Sequence, residues 1–237
     1  MGRRPKQHGP DIDGLLVVDK PLGVSSMDVV RVVRRAALGV RTGHAGTLDP
    51  LASGVLIVCL GKGTKLVEQL MGAGKTYRAE IDLSAFTPTD DREGEREEVT
   101  VTTPPARGAI EAVLPEFTGT IQQRPPAYSA IKIAGKPAYQ RARSGEELEL
   151  KARPVRIDDL TIEAYAWPIL TLSINCGRGT YIRSLARALG TRLGTGGHLA
   201  SLVRTRVGSY GLEQAIALDS VPTPLTQAAV LPLPQSV

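Results

Sequence analysis

The chain has 237 residues, of which 42% are hydrophobic and 22% charged, a composition that suits a globular fold with a core of its own. No apolar run approaches the roughly 18 residues that a membrane-spanning helix needs. The basic start, Met1-Gly-Arg-Arg-Pro-Lys-Gln-His8, is not followed by the apolar stretch of a secretory signal, so a cytoplasmic protein with no membrane partner is expected.

Residues 1–12 read as a basic arm. A first strand is expected over 14–19, followed by the turn Lys20-Pro-Leu-Gly. Ser25 or Ser26 then caps a helix running through Val29, Val30 and Val33 to about Leu38, where Gly39 ends it. Arg31, Arg34 and Arg35 fall on its polar side. The loop 41–50 leads into an apolar strand over 54–60, and a helix over about 64–71 precedes the strictly alternating strand 77–83. The polar residues 87–99 predict an exposed loop, and a helix near 106–114 follows two prolines. Prolines 125 and 126 exclude a regular helix across that stretch. Strands over 154–165 and 169–175 lead to a helix over 181–189, with Ile182, Leu185, Ala186 and Leu189 on one face. The last sixteen residues contain four prolines and no charge, so 216–237 reads as a Pro-rich tail. Elements of both kinds occur without a βαβ rhythm, which predicts an α+β fold on a mixed, largely antiparallel sheet with flanking helices.

Cys59 and Cys176 sit among apolar residues and read as buried thiols. Neither they nor His8, His44 and His198 show metal-ligand spacing, so no metal is expected. The net charge of +5 suits a polyanionic partner. Its distribution is more informative: residues 178–206 contain six arginines and no acid, a candidate phosphate-binding face.

Gly72-Ala-Gly-Lys-Thr76 mimics the end of a nucleotide-binding loop, but Gln69 stands where that loop needs glycine and a strand follows instead of a helix. In the loop 41–50, glycines permit tight backbone paths and Pro50 holds Asp49 extended. On spacing alone Asp49 is either a cap or turn residue or a presented carboxylate. Tyr77 is likewise either a core tyrosine or a flat platform for a ligand.

Longer motifs decide between these readings. Gly43-His-Ala-Gly-Thr-Leu-Asp-Pro-Leu-Ala-Ser-Gly-Val-Leu56 resembles the signature of the TruB family of tRNA pseudouridine synthases. Val18-Asp-Lys-Pro-Leu-Gly-Val-Ser-Ser26, Lys75-Thr-Tyr77, Pro125-Pro-Ala-Tyr-Ser-Ala-Ile-Lys132, Gly179-Thr-Tyr-Ile-Arg183 and Gly197-His-Leu199, leading to Leu202, resemble further family motifs in the family's order. The resemblance implies the pseudouridine-synthase fold, a catalytic domain over 13–215, and an insertion over about 122–156 that presses on the T-arm of tRNA. It implies that Asp49 is the catalytic aspartate, Tyr77 the tyrosine that stacks on the target base, and Arg183 the arginine that pairs with the carboxylate. Lys20, Tyr181 and Leu202 match pocket residues, and His44 matches the residue that occupies space vacated by the target nucleotide. Lys132, Arg141, Arg187, Arg204 and Arg206 are candidate RNA contacts.

The implied reaction isomerises uridine to pseudouridine at position 55 of the T-loop after the base has flipped out. It breaks the bond from C1′ to N1 and rejoins the base through C5 with no net redox change, so no cofactor is expected. Attack by Asp49 on base C6 or action at ribose C1′ both remain open. The expected enzyme is a monomer that needs neither guide RNA nor protein partner and lacks the PUA-type module of many relatives. Rival readings are an RNA chaperone on the same scaffold, a glycosidic hydrolase, which usually pairs two carboxylates, and a guide-dependent relative.

Overall fold

The computed structural model describes residues 11–128, 132–133, 136–137 and 150–233, which fall into two compact units, residues 1–73 with 203–237 and residues 74–202. In the first unit the strand Gly14–Lys20 pairs antiparallel with Ala52–Leu60, from Gly14 opposite Leu60 to Lys20 opposite Gly54. Both faces of this pair are covered, which explains why their sequences are continuously apolar rather than alternating. One face packs Leu16, Val18, Leu56, Val58 and Leu60 against Val29, Val33 and Ala36 of the helix Ser26–Ala36. The other packs Leu15, Val17, Val55, Ile57 and Cys59 with Ala45 and Val207.

The helix boundaries follow local rules. Ser25 accepts from the Asp28 backbone N–H, and Asp28 returns a bond to the Ser25 backbone, a complete capping box. At the other end Leu38 and Gly39 take positive φ, and Gly39 N–H donates to the Arg34 carbonyl at 2.9 Å.

The stretch expected as a Pro-rich tail is packed. Ile216 and Ala217 pair in parallel with Val18 and Asp19. Val221, Leu225 and Val230 are buried against the helix side of the core, and Leu15 and Leu231 exchange backbone hydrogen bonds of 3.0 and 2.8 Å. Prolines signalled the lack of regular structure, but the apolar residues between them bury surface all the same. Residues 1–10 of the expected basic arm lie outside the described residues, and Ile12 is buried.

In the second unit Lys75–Asp82 pairs antiparallel with Ile169–Cys176, which pairs with Arg153–Ala166, which pairs with Gly119–Gln123. The helices Arg107–Val113 and Ile182–Leu193 lie against each other. The second ends at Gly194 in the left-handed conformation, four residues beyond the expected stop. Gly190 permits its close packing, because a Cβ there would stand 2.1 Å from the Gly196 carbonyl oxygen.

One expectation needs correction here, and one strand was not read from the sequence. Residues 87–99 are not uniformly exposed: Thr87, Asp90 and Asp91 are buried, with the two carboxylates ion-paired to helix arginines, and pairing is what makes such burial tolerable. In addition, His198–Val207 forms a strand, which its arginines had obscured. Burial pushes the thiols of Cys59 and Cys176 up to about 11, leaving both protonated and inert at neutral pH.

Candidate active site

The first unit carries Lys20, His44 and Asp49. Asp49 lies half-buried on the loop after Thr42–His44, and its neighbours are pinned on several sides. Ser26 Oγ accepts from the Leu48 backbone N–H at 2.8 Å and donates to the Leu48 carbonyl at 2.9 Å. Gly23 N–H donates to the Pro50 carbonyl at 2.7 Å, and Ala52 N–H to that of Asp49 at 3.0 Å. The start of the helix and the turn before it thus hold the carboxylate's backbone on both sides.

Arg204 holds the loop from below. Only 1% exposed, it donates through Nε to the Val55 carbonyl at 2.7 Å and through its terminal nitrogens to the carbonyls of Thr47 and Gly46 at 3.4 and 3.3 Å. This corrects its expected role: a fully buried guanidinium spent on backbone carbonyls is no surface contact for RNA. Gly54 makes the fit possible, since its φ is +102° and a Cβ would stand 2.3 Å from the Arg204 carbonyl oxygen.

Lys20 is fully buried, and its ammonium donates to the carbonyls of Pro21 and Val24 at 2.9 and 2.7 Å. Burial lowers its pKa from 10.5 to about 8, against the attraction of Asp49. Between those values the unfolded chain binds the extra proton, so stability rises with pH in that window and is lost as pH falls through 8. Urea unfolding of the wild type is expected to show about 2 kcal/mol more stabilisation between pH 7 and 10 than Lys20→Met shows. Equal pH profiles for the two proteins would overturn the assignment. Burial first, and the charge of Arg204 second, lower the pKa of His44, which favours the neutral imidazole.

The second unit carries Tyr77, Tyr181, Arg183 and Leu202. Tyr77 stands on Lys75–Asp82 opposite Ile174 and is partly exposed. Tyr181 immediately precedes the helix Ile182–Leu193, and the Gln123 side chain clamps its backbone, accepting from its N–H at 2.8 Å and donating to its carbonyl at 3.0 Å. The Arg153 guanidinium lies 5.4 Å from the centroid of the Tyr181 ring, within cation–π range. Arg183 is buried and reaches Asp91 Oδ2 at 3.3 Å and the Tyr128 carbonyl at 3.0 Å. Leu202 is 8% exposed.

Gln123 and Asp91 were not singled out from sequence, and Ser26 was read only as a possible helix cap. Asp91 carried a weak signal, as one of two adjacent acids, but the polar run around it pointed to solvent. The acid-free stretch 178–206 is largely neutralised in space: Arg183 pairs with Asp91, Arg187 with Asp90, Arg192 with Glu116 and Arg206 with Glu213. Burial raises the pKa of Asp90, against the pull of Arg187. The Lys132 side chain and Arg141 lie outside the described residues. Among the described residues no cluster of His, Cys, Asp and Glu could hold a metal, and no helix is long and apolar enough to cross a membrane.

Comparison with known proteins places this arrangement. In solved structures the chain resembles a Cbf5-Nop10-Gar1 complex at 29% identity and a TM-score of 0.69, covering 93% of this chain and 59% of that one. It also resembles an H/ACA RNP bound to a substrate RNA containing 2′-deoxyuridine, at 29% identity and a TM-score of 0.66, covering 88% of this chain and 52% of that one. The chain therefore spans little more than half the length of these structural neighbours. The fold is the mixed α+β fold of pseudouridine synthases. The family model for the TruB family pseudouridylate synthase (N terminal domain) matches residues 34–182. The tRNA pseudouridine synthase B of Thermobifida fusca is 47% identical over 233 residues, 95% of this chain and 78% of the relative. That of Corynebacterium diphtheriae is 48% identical over 217 residues, 88% of this chain and 72% of the relative. The chain belongs to the TruB family of pseudouridylate synthases.

Proposed function

We propose that this chain is a tRNA pseudouridine synthase that isomerises the uridine at position 55 of the T-loop. The observation that carries this reading is Asp49, a half-buried carboxylate on a backbone pinned by Ser26, Gly23 and Arg204, within a motif of a family whose relatives are about 47% identical. A carboxylate held this way pays little ordering cost when it meets its target and can act as the nucleophile. Tyr77 supplies a flat face for the uracil and a hydroxyl for proton handling. Arg183 supplies positive charge for the carboxylate, Lys20, Tyr181 and Leu202 shape the pocket, and His44 fills the space the nucleotide leaves. Base extrusion costs a few kcal/mol, which contacts to phosphates elsewhere offset.

The reaction is an isomerisation, so it asks for no electron carrier. The enzyme acts in the cytoplasm as a monomer on tRNA alone, with 13–215 as its catalytic domain and 122–156 as the RNA-pressing insertion. The test is to incubate the pure protein with unmodified tRNA transcript in chelator and map the product. New pseudouridine at position 55 is the expected result. Free uracil would favour a hydrolase, and binding without product would favour an RNA chaperone.

A further inference from the structure

The arginines that the sequence made conspicuous, between 178 and 206, are mostly spent on carboxylates and carbonyls of the protein itself. A different set is not. The helix Ser26–Ala36 buries Val29, Val30, Val33 and Ala36 and turns Arg31, Arg34 and Arg35 to solvent, and the exposed Arg41 follows the turn that ends it. Among the described residues no carboxylate pairs with Arg34, Arg35 or Arg41. Arg31 pairs with Asp28, an exposed contact of little strength that a phosphate can displace. Asp28 is the helix's one acid, and the capping box already engages it.

Cations in the last turn complement the helix dipole, which accounts for Arg34 and Arg35 in part. It accounts for neither Arg31 in mid-helix nor Arg41 beyond the end. The helix and the turns at its two ends also expose large apolar side chains: Leu22 at 53%, Met27 at 50% and Leu38 at 61%. At helical spacing Met27, Arg31 and Arg34 line one stripe, and Leu38 follows in the turn past the helix end. The stripe begins at the candidate catalytic loop, because Ser26 holds Leu48 and Gly23 holds Pro50. From there the helix runs about 16 Å, enough to follow a nucleic-acid backbone past the nucleotide at Asp49.

We propose that this face, with Arg31, Arg34, Arg35 and Arg41, binds phosphates of the RNA substrate beyond the target nucleotide. The proposal rests on the reading of the chain as an RNA-modifying enzyme. The unneutralised positive charge favours RNA, and the exposed Met27 and Leu38 would flank the phosphate contacts against ribose.

The test is the salt dependence of binding to an unmodified tRNA transcript, measured for the full chain, for Arg34→Gln/Arg35→Gln and for Arg41→Gln. Each phosphate contact contributes about 0.7 to 0.9 to the slope of log K against log salt. The double variant is expected to lose about 1.4 to 1.8 of that slope and to bind roughly tenfold more weakly near physiological salt. Arg41→Gln should lose about half as much slope, and Lys62→Gln, at a cation that belongs to neither the helix nor the turn after it, none. Wild-type slopes in both arginine variants would overturn the proposal. So would a fall in self-association, read by sedimentation, with RNA binding unchanged, because the face would then serve a second copy of the chain. Pseudouridine formation by the wild type, measured on the same transcript, tests the functional reading separately. A wild type that makes no product while the arginine variants still lose slope would sink that reading and leave this one standing.

Discussion

Asp49→Asn is expected to lower the single-turnover rate of pseudouridine formation by roughly a thousandfold or more, with tRNA affinity changed by no more than about threefold. Asparagine keeps the shape of the side chain and its ability to accept a hydrogen bond, so the loop held by Ser26, Gly23 and Arg204 has no reason to move. What it loses is the negative charge and the nucleophilic oxygen. The phosphate contacts that govern affinity do not depend on either. The substitution therefore separates catalysis from binding. A variant that keeps normal turnover would remove Asp49 from the chemistry, and one that loses binding in parallel would make it a structural residue. A second readout comes from Lys20: removing the charge that favours its protonated form should lower its pKa further, measurable by NMR titration of the ammonium.

Arg204→Ala is expected to cost about 3 to 5 kcal/mol of folding stability, read as a fall in the urea midpoint. The wild-type side chain is fully buried and satisfies the carbonyls of Val55, Thr47 and Gly46. Alanine leaves those three acceptors without their donor and opens a cavity the size of a guanidinium and its stem. Arg204→Met fills most of the space yet donates nothing, so it should recover only the packing part, roughly 1 to 2 kcal/mol. Thr47 and Gly46 belong to the loop that presents Asp49, so both variants should also lose activity at temperatures where they remain folded. A cost below about 1 kcal/mol for Arg204→Ala would mean that water replaces the guanidinium and that the loop does not depend on it.

The elements legible in the sequence are those whose causes are local. The capping box of Ser25 and Asp28 sets the start of the first helix, and Gly39 sets its end, within one turn of chain in each case. The alternation from Tyr77 to Leu83 and the apolar run ending at Leu60 report strands with one and two covered faces, because period and burial are written residue by residue. The candidate residues Lys20, His44, Asp49, Tyr77, Tyr181, Arg183 and Leu202 were legible through motifs, and their roles stand as proposals.

Charge was not legible, because compensation is a matter of space rather than of order along the chain. The acids that pair with Arg183, Arg187 and Arg192 lie 92, 97 and 76 residues away in sequence, so a stretch that reads as uniformly free positive charge is largely ion-paired. Arg204 shows the same point at its limit: only the fold reveals that its hydrogen bonds go to backbone carbonyls around the loop that carries Asp49. The prolines after Asp219 announced irregular backbone, whereas the burial of Val221, Leu225 and Val230 depended on a helix nearly two hundred residues earlier. Local hydrogen bonding and periodicity were written in the amino-acid order. Which charges stay free to meet a phosphate was settled by the tertiary fold, since an ion pair forms wherever two side chains meet, however distant along the chain.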